Sequence, residues 1–157
     1  PRVMLLNVGA EETKGRDLEL ETYPLLEQAP IHFCGNIEAR DMPKGIADVV
    51  VADGFTGNVA LKLYEGMGKF ISNQLKHNLL AGVAGKLSAM LILPRIKAFA
   101  KKMDYKSVGG AVLLGVQKPV IKAHGSSDAT AFFNAIRQAK NCVDGKMIET
   151  ISNSLSE

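Results

Sequence analysis

Four short stretches of the chain pair glycine with side chains that can hold an oxyanion. Asn7-Val8-Gly9 is followed by Glu11 and Lys14-Gly15, and Gly35-Asn36 by Glu38 and Arg40-Asp41. Asp53-Gly54-Phe55-Thr56-Gly57-Asn58 is the third and His124-Gly125-Ser126-Ser127-Asp128 the fourth. Glycine lets backbone N–H groups approach a ligand closely. A stretch that opens a helix adds further donors and a partial positive charge. Together these groups suit phosphate or another anionic, oxygen-rich ligand. Each stretch also has a plainer reading. Tight turns need glycine, Asp53 can cap a helix, Ser126 or Ser127 can cap the last long one, and His124 can be a hydrogen-bonded structural histidine. None has Walker spacing and GxGxxG is absent, so nothing points to a nucleotide.

The elements that must position these stretches follow from hydrophobic patterning. Val3 to Val8 is an apolar run broken only by Asn7, which suits a strand buried on both faces of a parallel sheet. Asp17 to Ala29 reads as a helix with Leu18, Leu25, Leu26 and Ala29 on one side, ended by Pro30. Ile31 to Cys34 is a short second strand, Gly35 to Gly45 a polar loop, and Ala47 to Ala52 a third strand buried on both faces. After a turn at residues 53–58 comes a helix whose apolar stripe is Val59, Leu63, Met67, Phe70, Ile71 and Leu75. Val112 to Val116 and Val120 to Ala123 form two more strands, expected as an antiparallel hairpin in the same sheet. A helix through Ala129, Phe132, Phe133, Ile136 and Val143 follows, capped by Ser126 or Ser127, and Ile148 to Leu155 is a short last helix. Strands alternating with helices predict an α/β fold: three αβα layers around a mostly parallel, mixed sheet. Ligands of such sheets sit beyond the carboxyl ends of the strands, where all four stretches are expected.

Composition narrows the classes. The 157 residues are 46% hydrophobic and 22% charged, which suits one folded domain and excludes a disordered chain or a membrane bundle. A net charge of +3 without basic patches interleaved with aromatics gives no reason to expect nucleic acid. Cys34 and Cys142 have no CxxC or zinc spacing and are expected as two reduced, buried thiols. No run is long enough to span a bilayer. The opening at Pro1, just before a core strand, is expected of a fragment of a longer protein.

The motifs become specific when read together. Asn7-Val-Gly-Ala-Glu11-Glu12-Thr-Lys14-Gly15, Gly35-Asn36-Ile-Glu38-Ala-Arg40-Asp41 and Asp48-Val-Val-Val-Ala-Asp53-Gly-Phe-Thr-Gly-Asn58-Val-Ala-Leu-Lys62 resemble, in order and spacing, blocks of the phosphate acyltransferase family of bacterial phospholipid synthesis. Gly109-Gly110-Ala-Val-Leu-Leu-Gly115 and Ile121-Lys-Ala-His124-Gly-Ser-Ser-Asp128 resemble its two late blocks. The likeness runs from Pro1 to about Val143. It implies a fold like the isocitrate and isopropylmalate dehydrogenases, and a cytoplasmic, peripherally membrane-associated homodimer. The implied enzyme moves a fatty acyl group from acyl carrier protein to inorganic phosphate, without cofactor or metal. Members are longer, so residues 1–157 are expected to be the C-terminal portion. The N-terminal half, with its D-A-M-G-G-D motif, would then be absent, leaving the chain inactive or nearly so alone.

Within that reading, catalysis is expected of His124, Lys14 and Asn58. Phosphate or substrate is expected at Asn7, Gly9, Asn36, Arg40, Asp53, Gly54, Thr56, Gly57, Gly125, Ser126 and Ser127. The glycine stretches would supply N–H donors, Lys14 or Arg40 a cation, and His124 a grip on phosphate or a proton for the leaving thiolate. Residues 57–103 are expected as a protruding amphipathic helical hairpin for dimerisation or membrane docking. From Gly66 to Met103 there is no acidic residue and there are seven basic ones. Lys86, Leu87, Leu91, Ile92, Arg95, Lys97, Lys101 and Lys102 are the residues expected to meet an anionic membrane surface or the acidic carrier protein. Two other readings remain open: a phosphate acetyl- or butyryltransferase using coenzyme A, and a non-catalytic dimerisation and docking module.

Overall fold

Strand β1 (Arg2–Asn7) lies at the centre of a three-stranded parallel sheet, between β2 (His32–Glu38) and β3 (Val49–Val51). The computed structural model describes residues 1–79, 92, 94, 95, 98 and 109–155. They fall into two compact units, Pro1–Gln74 and Leu75–Glu157. The protein is α/β, with parallel pairing in the first unit.

In the first unit the core is carried by β1, where Val3, Leu5, Leu6 and Asn7 are all buried, together with Ile37 of β2. Consecutive buried positions mean that β1 is covered on both faces, as its apolar run predicts. Strand β3 departs from expectation: Val49 is 45% exposed, because among the described strands β3 is an edge with a single partner. Its start is zipped to β1 by Arg2, whose Nη2 donates to Asp48 Oδ1 at 2.8 Å and whose backbone N–H donates to Asp48 Oδ2 at 2.7 Å. Strand β2 runs further than the short strand expected at Ile31 to Cys34. Gly35 adopts φ +83°, and the register with β1 slips there, from Val3 opposite Phe33 to Leu5 opposite Asn36. The glycine bulge absorbs an extra residue and lets the strand continue to Glu38. Asn36 is therefore a buried strand residue and not part of a loop.

Helix α1 (Asp17–Gln28) packs on β1 and β2, with Tyr23 meeting Phe33 edge to face at 5.1 Å. Helix α2 (Gly54–Leu79) begins at once after β3 and absorbs the expected turn at residues 53–58. The glycines there suggest a turn, but Asp53 supplies the cap that starts the helix. Its expected stripe faces solvent, with Val59, Leu63, Met67 and Phe70 all exposed.

The second unit contains β4 (Gly110–Leu113) and β5 (Val120–Ala123), paired antiparallel, then α3 (Ala129–Asp144) and α4 (Met147–Ser154). The antiparallel hairpin is as expected. Its strands pair with each other in a sheet of their own, so among the described strands the single mixed sheet is replaced by two. Helix α3 packs on both strands through Ala131, Asn134, Ala135 and Cys142, not through the expected stripe. Phe132, Phe133, Ile136 and Val143 are exposed. The reason is close approach: a Cβ on Gly109 would lie 2.4 Å from the backbone N of Ala135. Only small side chains fit under a helix held that near. The Asp128 carboxylate, not Ser126 or Ser127, caps α3 by accepting the Ala131 N–H at 3.0 Å. Both cysteines are free; Cys142 is buried as expected, whereas Cys34 is exposed.

Candidate functional site

The carboxyl ends of β1 and β2 and the start of α2 enclose a cleft of about 620 Å³ in the first unit. Its polar lining comes from Asn7, Arg16, Glu19, Glu38, Arg40 and Thr56, and its apolar wall from Leu6, Val8, Val59, Ala60 and Leu63. The position is the one that parallel α/β sheets give to ligands.

Arg16 is the central side chain, and the sequence reading did not single it out. It is the N-cap residue of α1. Its backbone N–H donates to Glu19 Oε2 at 2.8 Å, while its guanidinium pairs with the same carboxylate. In each of these bonds Arg16 donates and Glu19, at the third helical position, accepts, which fixes the start of α1. Nη2 of Arg16 also donates to Asp53 Oδ2 at 2.7 Å and to the Thr56 hydroxyl at 3.3 Å. Glu19, then Asp53, raise the Arg16 pKa above its ordinary value, so the group is a permanent cation. Its Nη1 makes no hydrogen bond among the described residues and carries two N–H donors. Glu19 is buried, and its bond to Arg16 holds its pKa below the ordinary value despite burial.

Asp53 plays two parts. Its Oδ1 accepts the N–H groups of Phe55 and Thr56, and its carbonyl accepts that of Gly57. Hydrogen bonding from Thr56 is the largest cause holding this carboxylate well below the usual range, with Arg16 and Phe55 adding to it. The N–H groups expected to face an anion are thus already occupied by the cap. Gly54 has open space where a Cβ would stand, whereas a Cβ on Gly57 would come within 3.3 Å of Ala52 Cβ. Thr56 lines the cleft, and Asn58 is exposed on the first turn of α2, outside that lining.

The first stretch is clamped by two asparagines. Asn7 Nδ2 donates to the Lys14 carbonyl at 2.9 Å, and Asn36 Nδ2 donates to the Glu11 carbonyl at 2.8 Å. Both asparagines are buried. Gly9 is buried beneath Glu11 and Lys14: a Cβ there would lie 2.8 Å from Glu11 Oε2 and 2.9 Å from Lys14 Cγ. Asn7 lines the cleft; Gly9, Lys14 and Asn36 hold the loop beside it. Arg40 lines the cleft, largely exposed, with Nη2 donating to Glu38 Oε1 at 2.8 Å.

The fourth stretch belongs to the second unit and forms a turn with internal hydrogen bonds. His124 Nδ1 accepts the Ser126 N–H at 3.2 Å and lies 2.7 Å from the Ser126 hydroxyl, while the Ser127 N–H donates to the His124 carbonyl. Gly125 is exposed, and the buried Ser127 hydroxyl has no partner among the described residues. Of the expected membrane or partner residues, Lys86, Leu87, Leu91, Lys97, Lys101 and Lys102 lie outside the described residues; Ile92 and Arg95 are helical and exposed. Among the described residues no helix is long and apolar enough to cross a membrane, and no cluster of histidine, cysteine or carboxylate side chains could hold a metal ion.

Chemically the cleft is charge-balanced. Arg16 and Arg40 face Glu19 and Glu38, so an anion would be held by directed N–H donors more than by net charge. A fixed guanidinium beside an apolar wall suits an amphiphilic substrate with an anionic or carbonyl end. Fold and cleft together define an α/β protein with a crevice at the carboxyl edge of a parallel sheet. Residues 1–150 match the model of a family described as fatty acid synthesis protein. The chain belongs to that family. It is 49% identical over 157 residues to a phosphate acyltransferase of Anoxybacillus flavithermus, covering 100% of this chain and 48% of that one. With a phosphate acyltransferase of Shouchella clausii the identity is 51% over 155 residues, covering 99% and 47%. With that of Thermoanaerobacter pseudethanolicus it is 49% over 155 residues, again covering 99% and 47%. The chain spans about half the length of the curated relatives it matches.

Proposed function

We infer that the protein is part of an acyltransferase of lipid synthesis that passes a fatty acyl group from acyl carrier protein to inorganic phosphate. The observation that carries this is the cleft itself, where Arg16, oriented by two carboxylates, stands beside the apolar wall of Leu6, Val59 and Leu63. The names of the relatives support acyl transfer to phosphate; the carrier-bound donor rests on the resemblance of the motifs.

Hydrogen phosphate is already a nucleophile at neutral pH and needs positioning more than a strong base. One of its oxygens attacks the thioester carbonyl carbon, and the C=O electron pair moves onto oxygen. Collapse of this intermediate re-forms C=O, breaks the C–S bond and releases the thiolate, which takes the phosphate proton. The products are acyl phosphate and the free thiol. The two Nη1 N–H groups of Arg16 are suited to the phosphate or the oxyanion, a donor of this kind contributing about 3 kcal/mol to the transition state.

The test is acyl phosphate formation with carrier-bound and coenzyme A-bound donors, in the chain alone and extended to the length of its relatives. Carrier-dependent product that is lost in Arg16→Ala is expected. Equal use of acetyl-coenzyme A would favour a phosphate acetyl- or butyryltransferase. Membrane docking and dimerisation through residues 57–103, a cytoplasmic site and the dehydrogenase-like three-layer fold stay part of this proposal. Liposome flotation of a Leu91, Ile92 double variant checks the membrane part.

A further inference from the structure

The cleft ends against α2, but the apolar face that forms its wall does not. Val59 and Leu63 line the cleft. At 100° per residue, Met67 and Phe70 continue the same face, and the next residue on it, Gln74, is polar. All four apolar side chains are exposed, Phe70 at 55%, and a Cβ on the intervening Gly66 would meet nothing within 4 Å. The result is an open apolar strip, one side chain wide, leading away from Arg16 and Arg40. From position 59 to 70 it spans about 16 Å. Burial of a single strip that begins at two guanidinium groups calls for an amphiphile with an anionic end and a linear tail.

We propose that this strip is the acyl-chain track of the cleft, and that its end at Phe70 sets the chain length the protein prefers. The inference rests on the acyl-transfer reading of the cleft and adds where the chain lies. A long saturated chain laid along Val59, Leu63, Met67 and Phe70 gains contact with each added methylene until Gln74. Beyond that point further carbons leave the track and gain nothing. A second copy of this chain seated on the strip is the competing occupant, so dimerisation through residues 57–103 falls to other residues of that segment. An apolar partner surface would cover the strip without offering an anion to the two arginines at its head.

The experiment uses alkyl phosphates with six, ten and sixteen carbons, below their critical micelle concentrations, and inorganic phosphate, with binding to the chain followed calorimetrically. The variants are the surface double change Met67→Gln with Phe70→Gln, and Arg16→Ala. In the wild type, affinity should rise with chain length. In the double variant the sixteen-carbon ligand should weaken by about tenfold or more, while the six-carbon ligand and inorganic phosphate bind as before. Equal binding of the sixteen-carbon ligand by wild type and double variant overturns the track. So does an affinity that ignores chain length; if that binding still needs Arg16, the acyl-transfer reading of the cleft survives. Failure of every alkyl phosphate and of phosphate to bind removes both. Sedimentation velocity gives the last outcome: a dimer that the double variant dissociates, with ligand binding unchanged, assigns the strip to a second copy.

Discussion

Nη2 of Arg16 donates to Oδ2 of Asp53 at 2.7 Å, while Oδ1 of the same carboxylate accepts the backbone N–H groups of Phe55 and Thr56 at 2.9 and 3.0 Å. One side chain therefore ties the start of α1 to the start of α2. Asp53→Asn keeps an oxygen for the cap but loses the ion pair; Asp53→Ala loses both. The expected order of urea midpoints is wild type, then Asn, then Ala. Phosphate binding should fall in both variants, because Arg16 then keeps only its ion pairing with Glu19. An Asn variant that binds phosphate like wild type would show that Arg16 needs no orienting partner.

Acid sensitivity follows from the same carboxylates. Asp48, Asp53 and Glu19 all have folded pKa values depressed below their ordinary ones, Asp48 chiefly by its hydrogen bond from Arg2. The unfolded chain therefore binds more protons in acid. Their contribution to stability is complete above the ordinary carboxylate range, about 4, and is lost as pH falls through it toward the folded values. Urea midpoints should be flat from about pH 7 to 5.5 and decline below about 4.5. Asp48→Asn should flatten that decline, and an unaltered acid slope would show that the Arg2–Asp48 pair does not carry it.

Asn7 and Asn36 differ in what their removal leaves behind. Asn7→Ala strands the Lys14 carbonyl and the Val8 N–H, both held by that side chain, and should cost about 1–3 kcal/mol. Asn36→Ala strands the Glu11 carbonyl but also removes a buried Oδ1 that has no partner among the described residues, so it should cost less. Denaturant unfolding of the two variants checks the order.

The loop before α1 closes on Gly15, at φ +109°. A Cβ there would lie 2.7 Å from Glu19 Cβ and 2.8 Å from Asn7 Oδ1. Gly15→Ala should cost about 2 kcal/mol or more, and it should weaken phosphate binding together with stability because it displaces both Asn7 and Glu19. A variant of wild-type melting temperature would contradict the packing described.

The cap of α3 separates structural from chemical roles in the fourth stretch. Asp128→Ala should destabilise by about 1 kcal/mol and Asp128→Asn by much less. Ser126→Ala and Ser127→Ala should leave the helix intact. Circular dichroism melts of the four variants check this, and a serine variant that melts like Asp128→Ala would return the cap to the serine.

Local patterning in the sequence was enough for much of the architecture. The apolar run at Val3 to Val8 marks the doubly covered strand, Val120 to Ala123 the strand that is found, and the ordered motifs mark the family, because each signal lies within a few residues. Helix α1 is likewise legible, and Pro24 inside it does not end it. What only the tertiary structure decided depends on partners far along the chain. Arg16 reads as a surface cation beside a helix start until Asp53, 37 positions away, is brought to it. Asn7 and Asn36 read as ligand groups until the loop carbonyls they clamp are in place. The apolar residues of α2 and α3 are legible in the sequence, but periodicity reports that a face is apolar and not whether anything lies against it. For α3 the deciding fact is Gly109, whose lack of a side chain lets backbone meet backbone and selects the small face of the helix.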